Sequence, residues 1–134
     1  MFSHVVVGYN DLERSRRFYD ALFAAMDGRS GVVDQRGRLI YRQKGASFMV
    51  VPPLDGGAAT HANGGTIGFA LGSPEQVHAW HEAGVAAGGT AIESPPGERE
   101  SGFGPIYLAY LRDPDGNKLC GVHRVPAPAA ASAA

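Results

Sequence analysis

Four residues stand out for the chemistry their side chains can do: His4, Tyr110, Lys118 and Cys120. A histidine nitrogen and a cysteine thiolate are metal ligands, and with the thioether of Met49 they would make a soft-metal set. The same residues have a structural reading. His4 can be a hydrogen-bonded cavity histidine, Cys120 a small buried hydrophobe and Met49 a core filler. Tyr110 carries a hydroxyl on an aromatic ring that also suits a core. Lys118, two residues before Cys120, shares a face with it and with Val122 if the segment is a strand. There it can bind an anion, or simply lay its stem over the strand's entrance. A thiol ionises near neutrality only beside positive charge, and Lys118 is the nearest cation by sequence on that face.

The other groups are weaker. His78 and His81 stand at i, i+3 and can form a surface pair on one helix. His61 falls in a linker and His123 at a strand end, both expected to be exposed. The chain has no Gly-x-Ser-x-Gly elbow, no phosphate-cradling P-loop and no Cys-x-x-Cys pair.

The element that must position Tyr110, Lys118 and Cys120 is a hairpin. Asp113-Pro-Asp-Gly116 is a turn: proline presets φ, aspartate can bond local backbone, and glycine takes φ > 0 without steric cost. Strand-forming runs flank it, Ile106 to Leu111 before and Lys118 to Val122 after. At the other end of the chain, Phe2 to Gly8 reads as a strand carrying His4. Asn10 or Asp11 then caps a helix, and Asn10 with Glu13 has capping-box spacing. Leu12, Phe18, Tyr19, Leu22 and Phe23 form its apolar stripe, more typical of core than of a cofactor box. Short strands follow at Val32-Val33, Leu39 to Tyr41 and Ser47 to Val51, and Pro52-Pro53 ends the last.

Residues 54–65 read as a linker, after which the pattern begins again. Thr66 to Leu71 is a strand. Ser73 caps a second helix with Pro74 in its first turn and Gln76 at the box position. Val77, Trp80, His81 and Val85 form its inner face, and Gly88-Gly89 stops it. A strand near Thr90 to Ile92 and a Pro/Gly-rich loop over 94–105 lead into the final hairpin. Sliding the first half onto the second puts His4 on Thr66, Asp11 on Ser73, Glu13 on Glu75 and Phe18 on Trp80. Residues 126–134 are an Ala/Pro tail expected to be disordered.

Composition narrows the function classes. A chain of 134 residues is one domain with a core of its own. A net charge of −1 argues against nucleic acid and gives no reason to expect an anionic membrane partner. One cysteine excludes an internal disulfide framework and suits a reducing compartment. With no visible secretory signal and no apolar run of spanning length, a soluble cytoplasmic protein is expected.

Four stretches occur in order over residues 2–124: His4-Val-Val-Val, Asp11-Leu-Glu-Arg-Ser-Arg-Arg-Phe-Tyr19, Thr66-Ile-Gly-Phe-Ala70 and the Asp-Pro-Asp-Gly-Asn hairpin. Together they resemble the vicinal oxygen chelate superfamily, which includes glyoxalase I, bleomycin-resistance and fosfomycin-resistance proteins and extradiol dioxygenases. The resemblance implies an α+β fold: two tandem βαβββ modules forming a curved mixed sheet, a cup, with helices outside. One domain would span 1–125, with repeats at about 2–53 and 65–124. Such proteins commonly form homodimers, packed side by side or by exchanging repeats.

The resemblance also implies a site. Metal ligands in the family come from the first and last strand of each repeat. His4 matches the first ligand. Thr66 stands where the second repeat usually supplies His, Cys120 where Glu is expected, and Met49 is the best match on the remaining strand. The metal set here is therefore His4 and Cys120, incomplete for zinc, nickel, iron or manganese, because a catalytic site of the zinc type generally takes three protein ligands. Tyr110 matches a tyrosine that fosfomycin-resistance enzymes place near substrate. Glu98, Arg99 and Glu100 would border the cup mouth. A small-molecule site of His4, Thr66, Tyr110, Lys118 and Cys120 follows, open to two functions. One is lyase or dioxygenase chemistry on a small oxygenated substrate, as in glyoxalase I-like enzymes. The other is non-catalytic binding and sequestration.

Overall fold

The computed structural model describes residues 1–126, so the Ala/Pro stretch from residue 127 onward lies outside the described residues. Two modules repeat one order of elements. The first runs β1 (His4–Gly8), α1 (Leu12–Ala24), β2 (Val32–Val33), β3 (Leu39–Gln43) and β4 (Ala46–Val51). The second runs β5 (Ile67–Ala70), α2 (Pro74–Ala86), β6 (Thr90–Ser101), β7 (Gly104–Arg112) and β8 (Lys118–Arg124). Each module folds its strands into a four-stranded mixed sheet, ordered β1-β4-β3-β2 and β5-β8-β7-β6. In each, the first strand lies parallel to the last, and the remaining pairs are antiparallel. The α+β expectation of two βαβββ modules therefore holds. No helix among the described residues is long and apolar enough to cross a membrane.

Side-chain alternation decides which face of each sheet is covered. Leu39, Tyr41, Phe48 and Val50 are buried from β3 and β4, and Ala109, Leu111 and Leu119 from β7 and β8. These join Phe18, Tyr19, Leu22 and Phe23 of α1 and Val77 and Trp80 of α2 in one core. Each fully buried side chain of this size contributes about 2 kcal/mol from burial. Aromatic pairs carry the core across the module boundary: Phe48 and Phe69 have ring centroids 5.5 Å apart in a T-shaped arrangement. Ile40, Arg42 and Met49 in the first sheet, and Tyr110, Lys118 and Cys120 in the second, alternate onto the opposite faces.

Both helices begin as capped structures. The Asp11 carboxylate accepts from Arg14 N at 3.0 Å, so Asp11 and not Asn10 is the cap, and no Asn10–Glu13 box forms. Asn10 is occupied elsewhere: its Oδ1 accepts from Ala59 N at 2.7 Å and its Nδ2 donates to Asp115 Oδ1 at 2.9 Å. Ser73 Oγ accepts from Gln76 N at 3.1 Å, and Gln76 Oε1 accepts from Gly72 N at 2.6 Å. Val85, expected on the inner face of α2, is 43% exposed; Gly84 takes the buried position next to it.

The largest departure from expectation lies between residues 94 and 105. Its prolines and glycines predict a loop, but β6 runs from Thr90 to Ser101 and pairs with β7. The register shifts between Ile92 and Gly97, so Pro95 and Pro96 fall in an irregularity where the ladder makes no demand for their missing N–H groups. Glu98, Arg99 and Glu100 consequently pair as strand residues with Tyr107, Ile106 and Pro105. Arg99 spends its guanidinium on the carbonyls of Pro95 and Glu98, at 2.8 and 3.1 Å.

Candidate ligand site on the second sheet

The turn between β7 and β8 is built around Asp113. Its Oδ1 accepts from the backbone N–H groups of Asp115 and Asn117, both at 2.9 Å, and Oδ2 accepts from Asn117 Nδ2 at 2.8 Å. Gly116 adopts φ +95°, the left-handed region that costs glycine nothing. Asp115 faces away from the turn and receives Asn10 N, Asn10 Nδ2, Arg14 Nη2 and Ser15 Oγ at 2.9–3.1 Å. The turn is thus fastened to the start of α1 in the other module. This fixes where β8 begins, and with it Lys118 and Cys120.

Tyr110 and Cys120 are direct cross-strand partners on β7 and β8, so the phenol and the thiol lie on the same face of the sheet. The Lys118 ammonium stands over the Tyr110 ring, 4.6 Å from its centroid, within cation–π range. Lys118 also pairs with Glu93, a residue held at φ +60° beside the β6 irregularity. Glu93 carries no signal in the sequence, where it is a single acid between the short strand at Thr90 to Ile92 and the Pro/Gly-rich stretch over 94–105.

Electrostatics leave both protic groups neutral. Burial pushes the Cys120 thiol up from its ordinary value and Glu93 adds to this; the neighbouring Tyr110 and Lys118 pull the other way but are outweighed. Lys118 therefore does not ionise the thiol as its position on the strand suggested. The Tyr110 phenol is also raised, first by burial and then by Cys120 and Glu93.

Beside this cluster runs a groove of about 330 Å³ where the first strands of the two modules approach each other, lined by Val6, Gly8, Thr66, Asn117 and Lys118 among others. A smaller polar pocket of about 230 Å³ continues from it, lined by Thr66, Lys118, His61 and Arg112. Thr66 and Lys118 are common to both. His4 is placed differently: it is exposed, and its Nδ1 lies 2.7 Å from Ser3 Oγ. From β1 the groove takes Val6 and Gly8. Met49, half-buried, pairs across strands with Val6 and Ile40. His123, expected to be exposed, is half-buried with Nδ1 3.1 Å from Leu71 O. The structure thus brings Tyr110, Lys118 and Cys120 together, sets Thr66 beside Lys118, and leaves His4 at the rim of its own sheet.

This donor set does not suit the divalent metal that the superfamily resemblance implies. Cys120 is a buried thiol whose ionisation burial opposes, whereas a metal-binding cysteine must give up its proton. No three His, Cys, Asp or Glu side chains cluster in a metal-holding arrangement among the described residues.

Comparison with known proteins agrees with the architecture. A glyoxalase-like domain family matches residues 4–122. A solved glyoxalase/bleomycin resistance protein from Albidiferax ferrireducens is 54% identical over 92% of this chain and 99% of its own, with a TM-score of 0.90. A glyoxalase-related enzyme from Fulvimarina pelagi shares the fold at 21% identity, covering 100% of this chain and 95% of its own, with a TM-score of 0.72. A glyoxalase/bleomycin resistance protein/dioxygenase family enzyme from Burkholderia phytofirmans does so at 16% identity, with coverage of 92% and 98% and a TM-score of 0.70. No curated protein matches the chain. The match spans both modules, from the strand that carries His4 to the one that carries Cys120, and the chain belongs to the glyoxalase-like domain family of the vicinal oxygen chelate superfamily.

Proposed function

We propose that this protein binds a small oxygenated molecule in the groove at Thr66 and Lys118, and that it acts by binding and sequestering rather than through a family-type metal. The observation that carries this reading is the convergence of an ammonium, a phenol and a thiol, from Lys118, Tyr110 and Cys120, on one sheet face beside an open groove. Lys118 and the Thr66 hydroxyl supply donors to ligand oxygens, and Val6 supplies an apolar wall. Apolar walls with a few placed polar groups are the usual composition of a small-molecule site. Tyr110 and Cys120 form the support: the Tyr110 ring lies under the Lys118 ammonium, and Cys120 stands opposite Tyr110 across the strands. His4 contributes from the rim once a ligand or a second chain extends across β1.

The assembly in this proposal is a cytoplasmic homodimer. Val6 lies 47% exposed on the open face of the first sheet, and a second copy set against that face would close the groove. The test is calorimetric titration with catechol and with lactate, two compounds that present adjacent oxygens. Binding that survives prior dialysis against EDTA and weakens about tenfold in Lys118→Met is expected, the loss typical of one charge-assisted hydrogen bond. Binding that appears only on adding metal, or that is equal in the variant, contradicts the proposal.

A further inference from the structure

A second cavity, of about 460 Å³, lies at the far edge of the first sheet, away from the groove. Its walls are the segment after α1, with Arg29 and Ser30, and the outward-facing residues Val32, Ile40 and Arg42 of β2 and β3. Val32 and Ile40 are cross-strand partners and make a continuous apolar floor. Arg29 and Arg42 bring two guanidinium groups to it. Most arginines here that line a structural junction are already engaged: Arg14 with Asp115, Arg16 with Asp20, Arg38 with Asp34, and Arg112 with the Gly116 carbonyl. Arg29 and Arg42 have no hydrogen-bond or ion-pair partner among the described residues, yet they border the same cavity.

The wall that carries Arg29 is held in place from several sides. Gly28 N donates to Phe23 O at 2.8 Å, and Gln43 Nε2 donates to Met26 O at 2.7 Å. Gly31 N donates to Asp20 Oδ1 at 2.9 Å, and the same oxygen accepts from Tyr41 Oη at 2.7 Å. Gly31 is packed so closely that an added Cβ would come within 2.6 Å of Leu39 Cδ1. The cavity is therefore formed before any ligand arrives, which lowers the ordering cost of binding. Asp27 is the acid on its lining; its Oδ2 lies 3.5 Å from Gln76 Nε2, on the side toward α2.

We infer that this cavity is a binding site for a small organic anion, a carboxylate carried on an apolar body. The planar guanidinium forks of Arg29 and Arg42 match a carboxylate in shape and charge, and the Val32–Ile40 floor accepts the apolar part. The site is independent of the groove at Lys118 and draws on different residues.

Backbone amide NMR titration with phenylacetate tests it, with phenylacetamide and inorganic phosphate as controls. Phenylacetate is expected to shift the amides around Arg29, Val32, Ile40 and Arg42 while those of Thr66 and Lys118 stay still, which separates this site from the groove. Affinity should fall about tenfold in Arg29→Gln and in Arg42→Gln, and Arg42→Lys should recover only part of it because lysine lacks the fork. Both arginines are exposed, so an unchanged spectrum of the free variants certifies the fold. The inference is overturned if phenylacetate leaves these amides unmoved, or if either glutamine variant binds as the parent does. Equal binding of phenylacetamide would show that charge is not read, and equal binding of phosphate that the apolar body is not; either also overturns it.

Discussion

The Tyr19 hydroxyl donates to Asp113 Oδ2 at 2.5 Å, joining the first helix to the turn that launches the last strand. Both residues are buried, and the bond ties the N-terminal module to the position of Lys118 and Cys120. Burial and the neighbouring Asp113 carboxylate raise the Tyr19 phenol well above its ordinary value. Tyr19→Phe keeps the ring and removes only the donor. It should destabilise the protein by about 1–3 kcal/mol, the cost of leaving a buried acceptor short of a partner. Urea unfolding of parent and variant measures it.

Asp115 makes the parallel connection. Its two oxygens serve Asn10, Arg14 and Ser15, so Asp115→Ala should cost about 2–3 kcal/mol and loosen the same junction. Arg14→Ala should cost less, since that side chain is 42% exposed. Hydrogen exchange provides the check: in Asp115→Ala, amides at the start of both α1 and β8 should exchange faster.

Close packing under the site is also testable. A Cβ at Gly121 would come within 2.7 Å of Trp80 and 2.8 Å of Leu71. Gly121→Ala should therefore cost about 1–3 kcal/mol by overpacking. Tryptophan fluorescence should shift with it, because Trp80 is the single tryptophan of the chain.

Stability should decline on the alkaline side. Cys120, Tyr19, Tyr41 and Tyr110 all have raised values in the fold, with burial the leading cause in each. A raised acid holds its proton more firmly when folded, so its contribution is complete below the unfolded value. It is lost as pH rises from there through the folded value. For the thiol the decline starts near pH about 8.5, and for the phenols near about 10. Urea midpoints should therefore be flat at neutral pH and fall above that point. Cys120→Ala should remove the earliest part of the fall. A midpoint that rises with pH in this range would contradict the assignment.

Much of the fold was legible in the sequence because its signals were local. The apolar stripe of α1, the Ser73 cap with Pro74, and the Asp113-Pro-Asp-Gly116 turn each announce their structure within a few residues. The β6 strand was not legible, because Pro95 and Pro96 read as loop residues unless one knows that an irregularity in the ladder accommodates them. Of the site, Lys118 and Cys120 could be put on one face by strand alternation alone. That Glu93 would meet Lys118 depends on the β6 register, and that Asp115 would hold α1 depends on contacts about a hundred residues apart in the chain. Arg29 and Arg42 gave no sequence signal, since isolated arginines at a helix exit and in a short strand are common on any surface.

The central claim is that a ligand binds in the groove at Thr66 and Lys118, with Tyr110 and Cys120 supporting Lys118, without a metal. Its most direct measurement is backbone and side-chain NMR mapping with catechol on EDTA-treated protein, run in parallel on Lys118→Met. The account predicts saturable shifts at Thr66, Lys118 and Cys120 and in the Tyr110 ring, weakened about tenfold in the variant. Shifts confined to other surfaces, or shifts at these residues that appear only after divalent metal is restored, would contradict it.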